Sequence, residues 1–275
     1  MATSLEHSPG RSTLRYVRLM LLAVPLLLVV AIVIYGIANQ RIEDSLSSYY
    51  LGPARDLFVA MLVTTGVLLV VYTGDELEDY ALNLAGFYAM FVALVPTKLG
   101  ETLAQLPLGE QRRLIFSVQV SVIAVLVVSS VFIWLGIRTS RAPHRALFHS
   151  TATKALGLLS TLLLVGFVLL LLWRTVEGKQ FAGVHASAAF LLIFSMGIAI
   201  ASHLDHKPLC AMDTSGGKKL HYAIILVLML IGLIAWPILL AAGIQEALFI
   251  VEWFEISLFS YFWYLESRRL WNPAA

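Results

Sequence analysis

The chain has 275 residues, of which 59% are hydrophobic and 13% charged, with a mean hydropathy of +0.85. An average soluble domain carries about 25% charged residues, so this composition excludes an ordinary soluble fold and points to a chain that buries apolar surface in lipid. The net charge of +2 leaves no electrostatic footprint for a nucleic-acid partner, and the single cysteine, Cys210, excludes an internal disulfide or a cysteine-based metal cluster.

A membrane-crossing helix needs about 20 mostly apolar residues. Eight segments meet that description: 19–38, 55–74, 80–97, 115–137, 155–173, 182–203, 221–242 and 246–265. The expected fold is therefore all-α, a polytopic transmembrane helix bundle of about eight spans. Residues 1–18 form an N-terminal tail and 19–271 a single helical domain. The first segment follows Arg11, Arg15 and Arg18, and its 20-residue length suits a retained helix rather than a signal-peptide core of about 7–15 residues. Pro237 lies inside the seventh segment, where it is expected to kink the helix. Loops 98–114, 138–154 and 204–220 are each too short to fold alone.

Loop Lys and Arg residues set the orientation. Twelve fall on the side of the termini: Arg11, Arg15, Arg18, Arg138, Arg141, Arg145, Lys154, Lys207, Lys218, Lys219, Arg268 and Arg269. Seven fall on the other: Arg41, Arg55, Lys98, Arg112, Arg113, Arg174 and Lys179. This predicts a multi-pass protein of the cell (plasma or inner) membrane with both termini in the cytoplasm.

Candidate chemistry gathers in the outer half. Glu252 and Glu255 are three residues apart on one face of the last helix, and a carboxylate at mid-membrane depth costs about 2.5–3.5 kcal/mol on the insertion scale. That face is expected to look inward, with Arg55 as its nearest cation. Asp56 sits in a first helical turn, where its charge complements the helix N-terminus; Tyr49 and Tyr50 suit an interfacial belt. His185 opens the sixth segment. Asn83 and Gly86 share a face of the third, where a small residue allows close approach and an Asn can hydrogen-bond across it. His203, His206 and His221 gather at the cytoplasmic ends of the sixth and seventh segments. Their spacing is poor for the four ligands of a closed zinc site, so no metal and no cofactor is expected.

The motifs Ser45-x-Ser47-x-Tyr49-Tyr50, Arg55-Asp56-x-Phe58-Val59, Asn83-Leu84-Ala85-Gly86 and Val92-Ala93-Leu94-Val95-Pro96 lie within about fifty residues. They resemble the shared pattern of a family of uncharacterised bacterial multi-pass membrane proteins, with weaker similarity at Val184-His185 and at Glu255, Phe259 and Trp263. Segments 115–137 and 155–173 stand outside that pattern. The resemblance implies an architecture and an outer-half site, and no activity. The residues themselves favour a non-enzymatic protein that binds or moves a small solute, proton or lipid. The partners expected are membrane lipid and a small-molecule ligand. The alternatives are an intramembrane metal-dependent lipid hydrolase and an assembly partner of a membrane complex.

Overall fold

The computed structural model describes residues 9–40, 45–51, 54–139, 151–205, 216–244 and 247–271. Among them there is no strand, and eight long helices carry the fold. They are α1 (Pro9–Asn39), α2 (Arg55–Val71), α3 (Glu76–Leu94), α5 (Leu108–Thr139), α6 (Thr151–Glu177), α7 (Val184–Asp205), α8 (Gly216–Ala241) and α9 (Ala247–Trp271). A short helix, α4 (Leu99–Gln105), follows α3, and a 3-10 helix (Leu46–Leu51) precedes α2. Each expected segment corresponds to one long helix. Among the described residues seven helical segments are long and apolar enough to cross a membrane, and the chain is a multi-pass membrane protein. The eighth helix, α2, has 17 residues and is about 25 Å long.

The boundaries differ from the sequence expectation where polar residues extend a helix past the apolar run. Helix α1 begins at Pro9, so Arg15 and Arg18 are helical rather than part of a tail. The stretch 98–114 holds α4 and the first turns of α5 instead of an open loop. Helices α1 and α8 contain Pro25 and Pro237 and extend past both.

Helix α3 is central: twelve of its 19 residues are buried, whereas among the described residues of α5 only Val118 and Val122 are. It packs between α2 and α7, with α1, α8 and α9 completing that side and α5 and α6 forming a flank. The turn from α2 into α3 is tight. The Asp75 amide donates to Glu78 Oε2 at 3.4 Å and the Gly74 amide to Asp79 Oδ1, so side chains satisfy amides at the start of α3. Two glycines set the α2–α3 spacing. A Cβ on Gly86 would lie 2.5 Å from the Gly66 carbonyl oxygen, and one on Gly66 would lie 3.0 Å from the Gly86 carbonyl oxygen.

Both termini of the described chain lie at one end of the bundle, called the near end below. There Leu21, Leu69, Leu82, Ile225, Phe262 and Trp263 form a core. At the far end Leu28, Ile32, Leu46, Tyr49, Tyr50 and Phe58 form a smaller one. A third core, around Phe91, Val122, Phe167 and Leu171, ties α5 and α6 to α3 and α7.

Candidate functional site

Helix α9 presents acids along its inward side. At about 100° per residue, Glu266 lies about 20° from Glu255 and about 40° from Glu252 around the helix axis. All three belong to one stripe, and the bundle accommodates each differently.

Glu252 holds the 3-10 helix. Its Oε2 accepts from the Leu46 amide at 2.6 Å and its Oε1 from the Ser47 hydroxyl at 3.2 Å. Leu46 is the first residue of that helix, so the carboxylate meets amides that have no intrahelical partner. Ser45 supports the turn: its hydroxyl oxygen lies 2.8 Å from Ser48 Oγ and accepts from the Ser48 amide at 3.1 Å. Tyr49 is 2% exposed and meets the Tyr35 ring edge-on at 5.7 Å.

Glu255 is 6% exposed, and among the described residues neither carboxyl oxygen has a hydrogen-bond partner. It lies against Gly232 of α8, where a Cβ would collide with its Oε1. Glycine at that position lets the acid fit between the two helices. Further along α9, the Ser260 hydroxyl, the Trp263 indole N–H and the Ser267 hydroxyl are also buried without hydrogen-bond partners among the described residues.

At the near end Glu266, fully buried, joins a network from several helices. Its Oε2 lies 3.2 Å from Arg18 Nη1, and its Oε1 accepts from the Tyr222 hydroxyl at 2.6 Å. Arg18 Nη2 donates to the Tyr72 hydroxyl at 2.5 Å, and its guanidinium carbon sits 5.1 Å from the Tyr72 ring centroid. The His203 ring stacks on Tyr222 at 4.9 Å, and its Nε2 lies 3.1 Å from Glu78 Oε1. Glu78 is 3% exposed and Arg18 7%, so the Arg18–Glu266 ion pair and the His203–Glu78 contact are both removed from solvent here. Between this network and Glu255 lie Phe262 and Trp263, both fully buried, with Trp263 edge-on to Tyr72 at 5.0 Å.

The sequence placed Arg55 beside the α9 acids, and the structure corrects that pairing. Arg55 Nη2 donates to the Tyr50 hydroxyl at 3.3 Å, and its guanidinium carbon lies 4.9 Å from that ring centroid. The oxygens of Glu252 are occupied by the 3-10 helix, and Arg55 borders a separate groove toward α5 together with Asp56. Tyr50 continues inward, donating to the Leu94 carbonyl at 3.4 Å. His185 is buried, and its Nδ1 lies 2.7 Å from the Val95 carbonyl. A carbonyl only accepts, so the Nδ1–H tautomer is fixed and the histidine ties the start of α7 to the end of α3. Gly86 lies at the α2–α3 crossing, but Asn83 is exposed. The expected hydrogen bond from Asn83 across that crossing is replaced by close backbone approach of two glycines.

His185 and His203 stand at opposite ends of α7, about 27 Å apart along its axis. His206 and Cys210 lie outside the described residues, and among the described ones no three His, Cys, Asp or Glu side chains gather as metal ligands.

The sequence reading did not single out Arg18, Tyr72, Glu78, Tyr222 or Glu266. In the sequence Arg18 reads only as a topology charge, and the last apolar segment, 246–265, stops one residue before Glu266. Extending the helical rotation of Glu252 and Glu255 by three to four turns would have found Glu266. No comparable periodicity links Arg18 to it, because 248 positions separate them. Comparison with family models, curated proteins and solved structures gives no match for this chain.

Proposed function

We propose that the protein is a proton-carrying membrane protein in which Glu255 binds and releases the transported or coupling proton. One observation carries the reading: the Glu255 carboxyl is buried within the bundle without a hydrogen-bond partner among the described residues, on the α9 stripe that also bears Glu252 and Glu266. An ionisable residue buried in a membrane-spanning helix is costly, which makes it a functional-site candidate by default. The groups around it support a path with two polar stretches. Glu252 and the Ser45–Ser48 turn lead from Glu255 to the far end. Glu266, Tyr222, His203 and Glu78 lead toward the exposed Asp75–Glu76 turn at the near end. Phe262 and Trp263 separate the stretches, so passage requires those rings to move or water to enter beside them.

The same proposal places the chain in the cell (plasma or inner) membrane with both termini in the cytoplasm, supported by the twelve-to-seven distribution of Lys and Arg. The test is proton flux into liposomes carrying the purified full chain and an internal pH-sensitive dye, driven by an imposed membrane potential. Wild type should exceed empty liposomes, and Glu255→Gln should fall to their level, because Gln cannot titrate. Elution and melting matching wild type would show that the variant remains folded. Flux retained in Glu255→Gln, or absent from wild type, would refute the reading.

A further inference from the structure

We propose that a groove between α2 and α5 at the far end binds the head group of an aminophospholipid, with the phosphate on Arg55 and the ammonium on Asp56. This site is separate from the α9 stripe. The groove encloses about 420 Å³, and its polar lining consists of Tyr50, Arg55, Asp56, Ser117 and Ser121. Its apolar wall includes Val59 and Val63, which follow Arg55 and Asp56 along α2, and Val118, between the two serines on α5.

The lining selects a charge pattern. Arg55 has five N–H donors in a planar fork and gives one to Tyr50, leaving donors suited to bidentate contact with a phosphate. Tyr50 donates its own proton to the Leu94 carbonyl, which holds the phenol oxygen toward the guanidinium. Asp56 makes a purely anionic occupant unfavourable, and Arg55 does the same for a purely cationic one. A zwitterion with phosphate and amine in one head group meets both charges. Ser121 adds to the amine side. Its hydroxyl proton goes to the Ser117 carbonyl at 2.9 Å, so toward the groove its oxygen is an acceptor. A primary ammonium has three N–H donors for Asp56 and Ser121; a quaternary ammonium has none.

The surroundings favour a lipid over a dissolved zwitterion. The helices flanking the opening expose Val67 on α2 and Phe116 and Val120 on α5, a surface suited to acyl chains. Arg55 lies at the start of α2, and Ser117 and Ser121 lie in the first turns of the apolar run of α5. This is the level of a membrane interface, where phosphates reside, and the valine wall continues below it for an acyl chain.

The experiment uses the purified full chain in detergent with equimolar phosphatidylethanolamine, phosphatidylglycerol and phosphatidylcholine, and counts retained lipid by native mass spectrometry. Wild type should retain phosphatidylethanolamine about tenfold over each of the others, the size expected for one charge-assisted contact. Arg55→Gln should lower that retention about tenfold. Asp56→Asn should abolish the preference over phosphatidylglycerol without lowering phosphatidylglycerol itself. Ala60→Trp, which fills the groove from an exposed position, should remove all selective retention while leaving elution and melting unchanged. Equal retention of the three lipids by wild type, undiminished phosphatidylethanolamine retention in a folded Arg55→Gln protein, or an undiminished preference in a folded Asp56→Asn or Ala60→Trp protein, would overturn the assignment.

Discussion

Arg18 and Glu266 make a buried ion pair whose partners depend on each other more than the bundle depends on the pair. Removing one member of such a pair costs about 3–5 kcal/mol, because the other keeps its burial cost while losing this counter-charge, whereas replacing both with apolar residues is often near neutral. Arg18→Leu should therefore lower thermal stability in detergent by more than the double change Arg18→Leu with Glu266→Leu. The double variant should retain a smaller deficit of about 1–3 kcal/mol, since the buried Tyr222 hydroxyl loses its acceptor. A double variant as unstable as the sum of the two single changes would contradict this coupling. The glycine beside Glu255 gives a second residue-scale test. Gly232→Ala places a methyl group against Glu255 Oε1 and should cost about 1–3 kcal/mol by overpacking. Gly197→Ala meets only Leu226 Cδ1 at 3.5 Å, an ordinary contact, and should be nearly silent. Equal melting shifts for the two would show that Glu255 is free to move away.

The α2–α3 pair depends on backbone approach. A Cβ at Gly86 would press the Gly66 carbonyl at 2.5 Å and Val70 at 2.7 Å, so Gly86→Ala should destabilise more than Gly66→Ala, whose nearest contact is 3.0 Å. Melting temperatures that reverse the order would place the tight point elsewhere. The 3-10 helix depends on Glu252 in a different way. Glu252→Gln keeps one acceptor for the Leu46 amide, while Glu252→Leu leaves that amide without its partner, so Leu should cost about 1–3 kcal/mol more than Gln. These elements also show what was legible in the chain. The eight apolar segments were visible because crossing lipid demands length and hydrophobicity from each segment on its own. The shared face of Glu252 and Glu255 was visible because helical rotation is local. Their partners were not, because Leu46 and Ser47 reach α9 only through the folded order of the helices. The same limit paired Arg55 with the wrong neighbour and left Asn83 facing outward, since sequence spacing gives a residue's direction on its helix but not which helix stands opposite.

Across the whole molecule, polar groups occupy both ends of one inward face, with an aromatic layer between them. Glu252 and Glu255 serve one side; Glu266, Arg18, Tyr222, His203 and Glu78 serve the other, and Phe262 and Trp263 fill the middle. This division gives the orientation of the chain a chemical consequence, because it decides which compartment each polar stretch faces. Gln105 at the end of α4 and Thr73 in the α2–α3 turn are exposed at opposite ends of the bundle and suit a labelling test. In a Cys210→Ser background, a membrane-impermeant thiol reagent added to intact cells should label Gln105→Cys. Thr73→Cys should react only after permeabilisation, as the Lys and Arg distribution requires. The reverse pattern would turn the bundle over: the Arg18–Glu266 network would face outward and the Glu252 stretch the cytoplasm. The internal contacts would be unchanged, but under the proposed proton reading a proton entering from outside would then pass the Glu266 network before it reaches Glu255.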